Sequence, residues 1–204
     1  MFKKTALLIA LAGLTLAAGS ANAALINASF EDNSALPTGW TATGATGIYN
    51  GTTGGRTPTD GTRMAWKNVG TLYQDTGEVI VEGTTYTLTV DISKISNFDG
   101  VAVTANFRLY GSTLGFDTAL GSAEGTVDFL GSGAGDGEWK LNQTTSFTAT
   151  AAEAGQTLGV ALEVDGLQAN WDNVRLEVIP EPATMSLLAL GGLGVLARRR
   201  RRRS

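Results

Sequence analysis

Thr85-Tyr86-Thr87-Leu88-Thr89-Val90-Asp91-Ile92 alternates polar and apolar side chains without a break. A period of two puts Tyr86, Leu88, Val90 and Ile92 on one face of an extended strand and the threonines on the other, so one face is buried and one is wet. The pattern recurs downstream. Val101, Val103, Ala105, Phe107 and Leu109 alternate with Ala102, Thr104, Asn106 and Arg108, and Leu158, Val160, Leu162 and Val164 with Gly159, Ala161 and Glu163. Trp171, Val174, Leu176 and Val178 close the run. Further strands are predicted near residues 24–30, 63–68, 71–75, 125–129 and 144–150, with a turn at 150–154. Clusters of Gly, Asn, Asp and Ser at 97–100 and 131–137 punctuate them. Eight or more short strands and almost no helical period predict an all-β fold, a two-sheet antiparallel jelly-roll sandwich.

The composition narrows the chemistry. Gly is abundant at 27 residues and Pro scarce at 4, which suits short strands joined by tight turns. Cys and His are both absent. That excludes zinc sites built on thiolate or imidazole, a Ser-His-Asp triad and any histidine base. The net charge of −4 hides a segregation: residues 24–178 carry 7 basic and 18 acidic side chains, while six arginines stand at 198–203. The middle of the chain therefore has no basic face with which to bind nucleic acid. Its acidity suits a hard cation.

Both ends read as address labels. Met1-Phe2-Lys3-Lys4, an apolar stretch over 6–18 and Ala21-Asn22-Ala23 form a charged n-region, an h-region and an A-x-A cleavage site. A Sec signal peptide over 1–23 is expected, passed by the translocon and cut by signal peptidase at Ala21 and Ala23, leaving a domain over 24–178. At the other end stand Pro180-Glu181-Pro182, an apolar stretch of about 15 residues, short of the roughly 20 that span a bilayer, and the arginine run. The arginines stay cytoplasmic. The three-part pattern over 179–204 resembles the PEP-CTERM sorting signal of Gram-negative bacteria. The resemblance implies recognition by an exosortase-type protease, transient membrane insertion of a C-terminal transmembrane helix, and delivery to the cell surface or an exopolysaccharide matrix. A tail kept as a permanent anchor is the alternative.

A second resemblance spans the domain. It opens Leu25-Ile26-Asn27-Ala28-Ser29-Phe30-Glu31, continues with Gly39-Trp40, carries Pro58-Thr59-Asp60-Gly61-Thr62-Arg63-Met64-Ala65 and Gln74, and closes Asn170-Trp171-Asp172-Asn173-Val174-Arg175-Leu176. This order resembles the galactose-binding-like jelly rolls, the superfamily of many carbohydrate-binding modules. The resemblance implies a structural calcium ion held by the side chains of Glu31 and Asp172, with backbone carbonyls of Ser29 and of the Asp60-Gly61 turn as further contributors. Such a site needs only oxygens, six to eight of them, and neither Cys nor His.

Sugars stack on flat aromatic faces, and Trp40, Tyr49, Trp66, Tyr73, Tyr110 and Trp139 are the aromatic candidates. Trp40 and Trp171 read as core. Tyr110 follows the inward Leu109, so alternation puts it on the outer face beside Arg108, and Trp139 sits in a glycine-rich loop. Arg108, Tyr110 and Trp139 are therefore the expected ligand-binding residues. The glycines of 131–135 precede no helix and form no phosphate loop. The resulting expectation is a non-catalytic exported surface or matrix protein that binds glycan. The alternatives are a glycan-active enzyme using paired carboxylates, and a purely structural matrix component.

Overall fold

A computed structural model describes residues 21–22, 25–32, 34–98, 100–131 and 137–180. Nine strands occur among them: β1 (Ala21–Asn22), β2 (Thr41–Ala42), β3 (Thr46–Asn50), β4 (Arg63–Val79), β5 (Thr85–Ser93), β6 (Ala102–Gly111), β7 (Glu124–Leu130), β8 (Lys140–Thr148) and β9 (Thr157–Ile179). All pairings are antiparallel.

Two strands organise everything else. β4 and β9 are long, lie side by side and bend together, so each contributes one half to each of two sheets. The first sheet runs β2, β4 from residue 70 onward, β9 up to residue 165, β6, β7. The second runs β3, the start of β4, β9 from residue 168 onward, β5, β8, with β1 pairing the end of β9. The bends fall at Gly70 and Gly166, with φ of 116° and 122°. Side chains rarely adopt such angles, so glycine is what lets both strands turn the corner. Between the sheets lie Tyr86, Leu88, Val90 and Ile92 of β5, the apolar half of β6, and Leu158, Leu162, Trp171 and Leu176 of β9. Each such large side chain adds roughly 1.5–3 kcal/mol when fully buried.

The alternation read from β5 and β6 therefore has the correct inward faces. The sequence divides β4 at 68–71 and β9 at 164–171 because the alternation changes phase there. Val164 and Ala169 both point inward although five residues apart, and the ladder slips at Asn68/Gly70. Residues 150–154 form the predicted turn, stapled by the Glu153 carboxylate accepting the Thr150 N–H at 2.8 Å and hydroxyl at 2.6 Å.

One expected strand is absent. Residues 26–29 form a turn, closed by Phe30 N–H donating to Asn27 O at 3.1 Å. A side chain replaces the strand partner: Ile26 N–H donates to Gln74 Oε1 at 2.7 Å, and Gln74 Nε2 donates to Ile26 O at 3.0 Å. With its backbone groups met in this way, the segment needs no ladder.

Candidate functional site

The outer face of the first sheet carries three polar rows set by strand register. Tyr73, Ala161, Arg108 and Glu124 form one, Thr71, Glu163, Asn106 and Thr126 the next, and Asp165, Thr104 and Asp128 the third. Arg108 is the centre of the arrangement. It is only 5% exposed. Its Nε donates to Glu124 Oε1 at 2.9 Å, its Nη2 to Glu163 Oε2, and its Nη1 to Phe116 O at 3.2 Å. Thr126 donates to Asn106 Oδ1 at 2.8 Å and Thr104 to Asp128 Oδ1 at 2.7 Å. The third row opens into a cavity of about 270 Å³ lined by Ala102, Thr104, Asp128, Leu130, Asp165 and Gly166 among others.

Tyr110 lies on this face, as alternation predicts, but it is not exposed. It retains 2% of its surface, its ring covers Gly159, and its hydroxyl donates to Asp75 Oδ1 at 2.7 Å. Burial, and then the bond to Asp75, hold its pKa above the ordinary tyrosine value. Alternation identifies a face, and here neighbouring rings cover it: Tyr73 meets Tyr110 edge-on at 6.5 Å and stacks on Phe116 at 4.1 Å and 13°. Tyr73 and Phe116 are thus the aromatic neighbours of Arg108 on this face. Trp139 stands apart from them. It is half-buried just before β8, with its indole N–H donating to Thr57 O at 2.8 Å. Trp40 and Trp171 are core residues, as expected.

The residues suggested for calcium converge on one loop. Glu31 Oε1 accepts the Thr62 and Arg63 N–H groups at 2.9 and 2.8 Å, and its Oε2 accepts the Thr62 hydroxyl. Asp172 Oδ2 accepts the Thr59 and Asp60 N–H groups at 2.6 and 3.0 Å and the Thr59 hydroxyl at 3.1 Å, while Oδ1 accepts Asn173 N–H at 2.8 Å. Ser29 donates to Asp60 Oδ2. Glu31 and Asp172, though 141 positions apart, thus grip the 59–63 turn from two sides. Asp172 is fully buried, and every one of these partners is neutral. Burial, partly offset by those hydrogen bonds, pushes its carboxyl up to about 6. A buried carboxylate without a cation is what a bound ion would relieve, so the donor chemistry fits calcium. Among the described residues no three acidic side chains gather at metal-binding distance, so backbone carbonyls would have to complete the shell.

A family model described as HpiC1-like, HpiC1 cyclase, matches residues 21–177. The chain belongs to the HpiC1-like family. A PEP-CTERM protein-sorting motif matches residues 178–202. It marks the chain as exported and implies processing by exosortase-type machinery. Among solved structures, the CBM22-1 xylan-binding domain of Paenibacillus barcinonensis Xyn10C is similar over 75% of this chain and 92% of its own, with 13% identity and a TM-score of 0.51. The tandem CBM22-1–CBM22-2 fragment of the same enzyme is similar over 75% of this chain and 45% of its own, with 12% identity and a TM-score of 0.52. At that identity the likeness shows the fold: this HpiC1-like domain is a carbohydrate-binding-module-like β-sandwich. No curated protein matches the chain. No helix among the described residues is long and apolar enough to cross a membrane. The apolar stretch after Pro182, the Glu181-Pro182 part of the sorting motif, and Ala23 of the cleavage site lie outside those residues. Ala21 lies within them, paired with Val178 at the edge of β9.

Proposed function

We propose that this protein is a non-catalytic, glycan-binding component of the cell surface or extracellular matrix of a Gram-negative bacterium. The observation that carries the reading is the polar outer face of the first sheet. A planar arginine, threonine hydroxyls, an asparagine and four carboxylates line it beside an aromatic ring, on a fold shared with xylan-binding modules. Donors and acceptors in such rows match the vicinal hydroxyls of a sugar chain, and aromatic rings match its C–H faces. Glu124 and Glu163 flank an arginine that engages both. A hydrolytic pair must instead flank the bond it breaks, some 5–9.5 Å apart with the substrate between.

The test is a pull-down of the full chain, held in detergent, on insoluble polysaccharides that include the producing host's own exopolysaccharide, followed by a reducing-sugar assay. Retention without new reducing ends is expected. New reducing ends would establish the enzymatic reading, and absence of retention on every polysaccharide would leave a structural role. A calcium ion at Glu31 and Asp172 belongs to the same proposal, as a brace for the 59–63 turn.

Export is proposed to proceed by removal of residues 1–23 and then of the tail. The intact mass of the protein released by its native host should lack both the signal and the arginine run. A full-length tail persisting in the membrane fraction would instead establish a permanent anchor. Cleavage after Ala23 also removes β1, a two-residue ladder against Val178 and Glu177.

A further inference from the structure

One end of this polar face is covered by a piece of its own chain. Tyr73 sits within the β4–β9 ladder. Its register partner is the small Ala161, and its flank rests edge-on against Tyr110, itself tied to Asp75 and packed on Gly159. The Phe116 ring lies on Tyr73 nearly parallel, at 4.1 Å and 13°. That separation is van der Waals contact and leaves no space for a second planar group between them.

Phe116 belongs to the connection between β6 and β7, where Ser112, Thr113, Leu114, Asp117 and Thr118 are all exposed. The turn is bonded largely to itself: Leu114 and Gly115 N–H donate to Gly111 O, and Thr118 N–H to Gly115 O. Ser112 and Thr113 fix its first residues, through backbone and side-chain bonds to Thr157 and a side-chain bond to Gln156. Further along, the Phe116 carbonyl accepts from Arg108 Nη1 on the sheet.

Phe116 therefore presents to this face a flat apolar ring on an aromatic face and an oxygen on a guanidinium. A pyranose offers the same two things, a C–H face and a hydroxyl oxygen. Building on the glycan-binding reading above, we infer that Tyr73 is the stacking residue of this face and that Phe116 is an intramolecular stand-in for the sugar, displaced when ligand binds. One movement of the 112–118 turn uncovers both elements, the Tyr73 face and an Arg108 N–H. The closed form then lowers apparent affinity by the fraction of molecules that are open.

The test measures binding of soluble xylan and of the host exopolysaccharide to the full chain, wild type and variants, by affinity electrophoresis. Phe116→Ala is expected to bind on the order of tenfold more tightly, because it removes the competing ring and leaves Tyr73 in place. Phe116→Leu, which keeps an apolar cover without a flat ring, should fall between. Tyr73→Ala should abolish binding in both the wild-type and the Phe116→Ala backgrounds. Thermal melts report whether each variant is folded, and Phe116→Leu serves if the alanine variant is not. Binding by Phe116→Ala alone, with none by wild type, would be the strongest support. Equal or weaker binding by both Phe116 variants, with wild type binding, would overturn the stand-in and leave the glycan reading intact. Absence of binding by every variant on every polysaccharide would overturn both.

Discussion

In the presence of chelator, raising the pH from about 4 to about 6.5 is expected to lower the melting temperature of the domain, and Asp172→Asn is expected to remove most of that slope. The folded-state pKa of Asp172 is about 6, above its ordinary value of 3.8, because the carboxyl is buried. Between those values the unfolded chain has released the proton and the folded one retains it. Stability then falls as pH rises, and the whole contribution is present only below the unfolded value. Two pKa units correspond to about 3 kcal/mol. For a domain of this size that is roughly 6–12 °C in melting temperature. Carboxylates such as Glu153, held low by the Thr150 hydroxyl and N–H, act in the opposite direction at the acid end of this window, up to about their ordinary value of 4.5, so it is the difference between wild type and variant that isolates the Asp172 share. Calcium should bind the ionised form, restoring stability at neutral pH by about 2.7 kcal/mol at a hundredfold excess over its dissociation constant. Differential scanning calorimetry with chelator and with calcium reads both effects. A slope unchanged in Asp172→Asn would remove the carboxyl from the account. A wild-type melting temperature insensitive to calcium would remove the ion.

Much of this fold is legible in the sequence because a sheet with one buried face writes itself as period two. Tyr86, Leu88, Val90 and Ile92 needed no other information. The long strands are less legible for a physical reason. β9 turns its inward face over at Gly166 and again at Asp172–Asn173, where Asn173 has φ 51° and the ladder with β5 slips. A strand that changes phase twice looks like three short ones. The calcium-suggesting residues were found from short local patterns, and the shared turn they grip was visible only once the fold brought residues 31, 60 and 172 together. The candidate binding face was half legible. Parity placed Arg108 and Tyr110 on one face, but parity does not state which strand lies alongside. The pairing of Arg108 with Glu124 and its neighbourhood with Glu163 and Tyr73 are facts of register, and no residue spacing encodes them. Nor could it be read that a turn after β6 would cover Tyr110's neighbours, since Phe116 stands among glycines and threonines with no period at all.

Arg108→Met is expected to reduce stability and abolish glycan retention, and the sharper expectation concerns its partner. In the wild type, Glu163→Gln removes a charged bond to a buried guanidinium and should destabilise. In the Arg108→Met background the same substitution should stabilise, because Glu124 and Glu163 are then left near each other with no cation between them. Like charges at that range repel, and the repulsion disappears when one becomes an amide. Removing one partner of a buried ion pair costs about 3–5 kcal/mol. Here the side chains of Glu124 and Glu163 are 44% and 33% exposed and can rehydrate, so about 2 kcal/mol is the better expectation. Arg108→Lys should not rescue. A single ammonium on a flexible stem cannot donate along the three directions occupied by Glu124, Glu163 and the Phe116 carbonyl. Urea denaturation of the four proteins in the Arg108/Glu163 cycle measures the coupling directly. The reversal of sign is the decisive feature. If Glu163→Gln destabilises equally in both backgrounds, the arginine is not what reconciles the two carboxylates, and this face is held by its backbone alone.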